Sequence, residues 1–324
     1  MLWVALSYYY PHIGPPRFIL SRGHPGVGRP IHSFAAPYNL PDYPNILFLC
    51  VSDPPDLQSS SAMAPIVTTT PSLTLTPEPL TPENFAPFGT AICPPLPRDI
   101  SIPPQPSHLP AYNPAPILAN QGSALKYSPI SPLLDRYNAC PSGKASSARM
   151  TMFCCFPRKL RSVTTGRQQA DKEVFDVRIL ERHPFTNQTF IPVDLSSHSQ
   201  VGGSGEEEPV FLVVVAPTLK GETATAKNEK GEIVTIRDPP DLKNVKAFIA
   251  RGGQSVNYGV GTWHAPMVVL GQRRVDFMVV QFVNGVDDED CQEAALGEGV
   301  VVDLGAKGQH GRAERASNRL WSKL

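Results

Sequence analysis

The sequence predicts an all-β domain, a sandwich or small barrel with one or two short helices, preceded by a proline-rich irregular extension. Three observations carry this. First, of the 36 prolines in 324 residues, 28 fall in residues 1–150 and 8 in residues 151–324. Proline fixes φ and removes a backbone donor, so the first half cannot hold long helices or central strands. Second, charge runs the other way: 15 charged residues precede position 151 and 43 follow it, an ordinary globular density. Third, short β-rich runs recur at close spacing in the second half with turn sequence between them.

The elements follow in chain order. Residues 1–62 alternate Pro, Gly and aromatics without a period and are expected to have no stable fold. Met63 would serve as a translation start, so this stretch is either a disordered extension or an artefact of the gene model. The opening MLWVALSYYY lacks a basic region and a small-residue cleavage site, and reads as something other than a signal peptide. Residues 1–79 are assigned to the extension and the domain to 80–300. Thr81 is an N-cap, Pro82 the first helical position and Glu83 a first-turn acid, so a short helix runs toward Gly89. Thr90–Cys93 is strand-like, and 94–116 is a proline-rich loop insert. Arg149–Phe156, Val174–Leu180, Gln188–Val193, Val210–Ala216, Val256–Tyr258, Ala265–Leu270 and Asp276–Phe282 read as strands. Polar residues 218–238 read as an inserted hairpin or loop, and Asp241–Ala250 (DLKNVKAFIA) as a helix stopped by Gly252-Gly253. Residues 301–324 are expected to be a flexible tail.

The totals exclude several functions. A formal net charge of zero argues against nucleic-acid binding. No run reaches the roughly 18 apolar residues of a membrane span. Six cysteines without C-x-x-C spacing read as reduced thiols rather than a metal or redox motif.

His183 and His264 are the two histidines at strand edges inside the expected domain, and each is closely followed by proline (Pro184, Pro266). With Glu181 and Gln188 they could form a metal or acid–base site. The alternative is a pair of structurally hydrogen-bonded histidines.

Several segments in the same order resemble the ureidoglycolate lyase family, above all its fungal members: LTPENFAPFGTAI (80–92), ANQGSALKY (119–127), MTMFCCFPR (150–158), LERHPFTNQTFIPV (180–193), VFLVVVA (210–216) and PDLKNVKAFIARGGQSVNYGVGTWHAP (240–266). The resemblance covers residues 80–296 apart from the inserts. It implies a cupin-like β-barrel or jelly roll, often a homodimer, that splits (S)-ureidoglycolate into glyoxylate and urea. It also implies an associated divalent metal, nickel in some bacterial members. Gly259 and Ala265 stand where bacterial members tend to carry further histidines, so a site of four imidazoles is not expected. The set of two histidines and one carboxylate, His183, His264 and Glu181, remains available.

That reaction needs a base for the carbinol O–H, an acid for the leaving nitrogen and a cation for the carboxylate. His264, His183 and Glu181 are the catalytic candidates, with His183 and His264 also the candidate metal ligands. Arg182 and Lys126 are candidates for the carboxylate, a surface salt bridge being the alternative for Arg182. Gln188, Asn257 and Tyr258 could hydrogen-bond the ureido group, whereas Trp263 is assigned to packing. Two other activities stay open, an amidohydrolase releasing ammonia and carbon dioxide, and a non-catalytic cupin that binds a small ligand. The chain ends Ser322-Lys323-Leu324, a tripeptide read by the peroxisomal import receptor, so a peroxisomal matrix location is expected, with a cytoplasmic one as alternative.

Overall fold

A computed structural model describes residues 64–97, 100–109, 112–165, 170–193, 210–271 and 273–306. The first 63 residues, His198 and the Ser322–Leu324 tripeptide lie outside the described residues. Within them the regular structure is almost all strand, apart from short 3-10 turns and two four-residue α-helices, Pro82–Phe85 and Asp287–Asp290. No described helix is long and apolar enough to cross a membrane.

The architecture is built around Val210–Ala216. All seven residues of this strand are buried. It pairs antiparallel with Lys246–Arg251 on one side and with Trp263–His264 and Val268–Val269 on the other, inside a ten-stranded sheet. Its side chains alternate between two cores. Leu212, Val214 and Ala216 join Leu180, Trp263, Val300 and Val302. Phe211, Val213 and Val215 join Phe190, Val256, Tyr258, Phe277 and Val279. A strand without polar alternation must be covered on both faces. The second core is completed by a five-stranded sheet ordered Gly89–Ile92, Ser255–Tyr258, Gln188–Val193, Val275–Val283, Ser147–Cys155. The first is completed by a four-stranded sheet that includes Val300–Ala306 and Ala170–Asp176. The all-β expectation and its cupin-like character hold. The closed barrel does not: the sheets stack, because a barrel wall needs one inward and one outward face, and this strand has two inward faces.

Three local expectations are corrected. Asp241–Ala250 is not a helix. Asp241 closes a turn by accepting from the Lys243 and Asn244 amide groups, and Lys246–Arg251 is a strand. Its apolar residues mimic a helical period, but six cross-strand pairs with Val210–Val215 decide the outcome. The domain begins before Leu80: Ile66–Val67 pairs with Lys227 and Ala226, Leu73–Leu75 with Val300–Val302, and Glu78–Pro79 with Phe248 and Ile249. It also ends later than 300, since Val300–Ala306 is a strand rather than the start of a tail. The 218–238 segment is a hairpin, Thr223–Lys227 with Ile233–Arg237, that buries Ala226 and Ile236 in the first core.

The short helix is capped as expected: Thr81 Oγ1 accepts from the Asn84 amide at 3.2 Å. Gly89 then starts a strand with φ +147°, and a Cβ there would run into the Asn257 carbonyl oxygen. This close approach seats Gly89–Ile92 on the strand carrying Asn257 and Tyr258. Gly89→Ala is expected to destabilise the fold by about 1–3 kcal/mol or more, read as a lower midpoint in denaturant; an unchanged midpoint would contradict this account of the glycine.

Candidate active site

The candidate groups meet between the central sheet and the five-stranded sheet. In the central sheet, Glu181 lies directly across from His264 on one side and Glu293 on the other. Directly opposed residues share a face, so the carboxylate and the imidazole are presented together. The neighbours Arg182 and Trp263 point to the opposite face for the same reason. In the other sheet Gln188 lies across from Tyr258. The two strands end at Arg182 and His264, shortly before Pro184 and Pro266, so His183 lies just past its strand.

His264 is the hub. Its Nδ1 faces the Thr262 carbonyl oxygen at 3.1 Å, and its Nε2 faces Gln188 Oε1 at 3.2 Å and Glu181 Oε1 at 3.4 Å. The Tyr258 ring stacks on the imidazole, centroids 3.9 Å apart and 12° from parallel. An imidazole with acceptor oxygens at both nitrogens is satisfied by a second proton, or by a cation placed between Nε2 and the carboxylate. His183 lies with its ring centroid 5.5 Å from that of His264. Its Nδ1 is 2.6 Å from the Asp290 carbonyl oxygen and so carries the proton, which leaves Nε2 as a buried lone pair. Burial, and then the neighbouring His264, hold the His183 pKa below its ordinary value, so the ring stays neutral. Glu181 goes the other way. Burial would raise its pKa, but the hydrogen bond from His264 and the two neighbouring imidazoles bring it below the usual carboxylate range.

Among the described residues, two buried side-chain polar atoms have no partner, and both are here: His183 Nε2 and Tyr258 Oη. Native interiors rarely leave such groups unpaired. Glu181, His183 and His264 each bring a donor atom within 4.8 Å of the others. A carboxylate and two imidazoles, one with an orphaned lone pair, fit a divalent transition-metal ion. Cys291 and Glu293 extend the cluster around Glu181. Burial, and then Glu181, raise the Cys291 pKa, so it is a thiol rather than a thiolate.

Access is through a cleft of about 370 Å³ lined by Phe153, Cys155, Phe156, Pro157, Arg158, Glu181, Phe190, Pro266 and Met267. Glu181 is the member of the cluster that faces it, and the imidazoles lie behind.

Not every expected residue belongs here. Arg182 is committed to structure. Its guanidinium donates to Gln292 Oε1 and to the Arg237 and Asp238 carbonyl oxygens, and lies 5.0 Å from the Trp263 ring centre. These donors leave no free fork for a substrate carboxylate, and the buried guanidinium also lies 3.8 Å from the partly exposed Asp238 carboxylate, so of the two expectations the salt bridge is the one found. Asn257 is committed too: its amide accepts from Asn187 and donates to Ser131 Oγ and the Pro132 carbonyl oxygen, tying down the 131–134 loop. Lys126 is exposed on a separate hairpin, Ile117–Ala119 with Ala124–Lys126. Trp263 is fully buried and donates to the Asp238 carbonyl oxygen, as its packing role requires. Gln281, which accepts from Gln188 Nε2, went unnoticed. Its signal was a polar residue breaking the apolar face of VDFMVVQFV.

The chain is similar to known proteins over most of the described residues. The family model described as ureidoglycolate lyase matches residues 72–303. A ureidoglycolate lyase of Schizosaccharomyces pombe is 30% identical over 213 residues, 66% of this chain and 86% of the relative. One of Saccharomyces cerevisiae is 31% identical over 235 residues, 71% of this chain and 97% of the relative. One of Pseudomonas syringae is 27% identical over 227 residues, 70% and 92%. With a matched span that takes in nearly all of both cores and every residue of the Glu181 cluster, the chain belongs to the ureidoglycolate lyase family.

Proposed function

We propose that the protein is a carbon–nitrogen lyase that splits ureidoglycolate into glyoxylate and urea. The observation that carries this is the pairing of an ionised carboxylate at the cleft with two unpartnered polar atoms just behind it, in a chain of this family.

Ureidoglycolate bears a hydroxyl, a carboxylate and a urea nitrogen on one carbon. Glu181 takes the hydroxyl proton. The oxygen electron pair then forms the glyoxylate C=O, the C–N bond breaks toward nitrogen, and that nitrogen takes a proton to become urea. The proton moves from oxygen to nitrogen with no net change. Burial, and then the Glu181 charge, raise the Tyr258 pKa, so its hydroxyl stays protonated and can donate to the departing ureido group. His264 orients Glu181 and Gln188, and Gln281 fixes the Gln188 amide so that its oxygen faces His264. A divalent ion held by Glu181, His183 and His264 would polarise the carbinol oxygen.

The test is glyoxylate release from ureidoglycolate by protein starting at Met63, with and without chelator. Release is expected, and its loss on chelation with recovery on adding a divalent metal supports the ion. Absence of release in both arms would favour a non-catalytic ligand-binding protein.

The Ser147–Cys155 strand supports a homodimer. It is a nine-residue edge of the five-stranded sheet, eight of its residues are exposed, and Met150, Met152 and Phe153 are among them. An open apolar edge of that length invites pairing, and antiparallel pairing with a second copy closes it about a two-fold axis. A solution mass of one chain would remove the idea. Peroxisomal import is supported by Ser322-Lys323-Leu324. A fluorescent protein fused to residues 305–324 is expected to appear punctate, and a diffuse signal would reject it.

A further inference from the structure

A substrate with a carboxylate needs a cation at the site, and neither sequence-based candidate supplies one. Arg182 spends its guanidinium on Gln292 and two carbonyl oxygens, and Lys126 is on a separate hairpin. The cleft has one cationic side chain in its lining, Arg158. Its backbone is fixed: the amide donates to the Val269 carbonyl oxygen at 3.0 Å, and Pro157 bridges to Val269. Its guanidinium carbon lies 5.7 Å from the Phe175 ring centre, which braces a long, otherwise mobile side chain. No described carboxylate pairs with it. Its field reaches the cleft wall: burial pushes the Cys155 thiol up to about 11, and Arg158 opposes that rise.

We propose that Arg158 binds the carboxylate of the substrate, and so selects carbinolamides that bear a carboxylate and sets which end of the molecule faces Glu181. This rests on the lyase reading and adds its missing cation. The cleft lining then carries one anion and one cation. Glu181 meets the carbinol proton, Arg158 meets the carboxylate, and Phe153, Phe156, Phe190 and Met267 supply apolar wall. Apolar walls strengthen the ion pair by excluding water. A substrate placed the other way round would set its carboxylate against Glu181, so charge alone fixes the orientation. A guanidinium suits the task because its planar fork can hold both carboxylate oxygens.

The test compares Arg158→Gln and Arg158→Lys with the unaltered protein. In Arg158→Gln the KM for ureidoglycolate is expected to rise about 10–100-fold, with kcat changed much less and the thermal midpoint unchanged. Inhibition by glyoxylate, which keeps the carboxylate, should weaken by a similar factor. Inhibition by urea, which lacks it, should not change. Arg158→Lys should recover part of the loss. A purely structural arginine would shift both inhibitors or neither. Unchanged KM and unchanged glyoxylate inhibition in Arg158→Gln would overturn the proposal while leaving the lyase standing. Calorimetric binding of glyoxylate separates the two claims further. Arg158-dependent binding by a protein that does not turn over ureidoglycolate would sink the lyase reading and keep this one. No glyoxylate binding by the unaltered protein would sink the role of Arg158.

Discussion

Glu181→Gln is expected to lower glyoxylate release from ureidoglycolate by about 10²–10⁴-fold, the usual contribution of a positioned general base. The substitution keeps the shape of the side chain and removes its charge. Glu181 is the only one of the three clustered donors that lines the cleft, and its side chain is 20% exposed against 2% for His264. Its position on the strand is fixed by backbone pairing to His264 and Glu293, which the change does not touch. The thermal midpoint should therefore move by only a few degrees while turnover collapses. Turnover within a few-fold of the unaltered protein would remove Glu181 from the chemistry, and with it the proton path argued above.

Tyr258→Phe separates function from stability. The Tyr258 hydroxyl is buried and has no hydrogen-bond partner. Leaving such a group unpaired costs the folded state about 1–3 kcal/mol. Its removal should leave stability unchanged or raise it slightly, since the ring keeps its stack on His264 and its contacts with Phe85 and Phe190. Turnover should nonetheless fall about 10–10³-fold through loss of a hydrogen bond to the departing group. A variant that is less stable and fully active would show that the hydroxyl has a structural partner and no role with substrate.

Much of the fold was legible because strands whose burial follows local pattern announce themselves. Gln188–Val193 and Val210–Ala216 were bounded to the residue. What was hidden depends on distant partners. Leu73–Leu75 and Val300–Ala306 make a parallel pair across more than 220 residues, and neither segment carries a turn or alternation signal strong enough to show it. Lys246–Arg251 was hidden differently, by apolar spacing that suits a helix until the partner strand is known. At the site, Glu181, His183, His264, Gln188 and Tyr258 were readable from two histidines beside prolines and from the resemblance. Arg182 and Asn257 misled because polar residues beside candidate site residues serve packing as often as chemistry, and only their hydrogen bonds tell which. Arg158 sits in a segment recognised for its strand, 23 residues before Glu181, and nothing in local sequence joins the two.

The most direct test of the central claim is the product ratio from ureidoglycolate. Glyoxylate and urea should appear in equal amounts, without ammonia, and both should disappear together in Glu181→Gln. Glyoxylate accompanied by ammonia instead of urea would mean hydrolysis of the ureido group, and would contradict a lyase at this site.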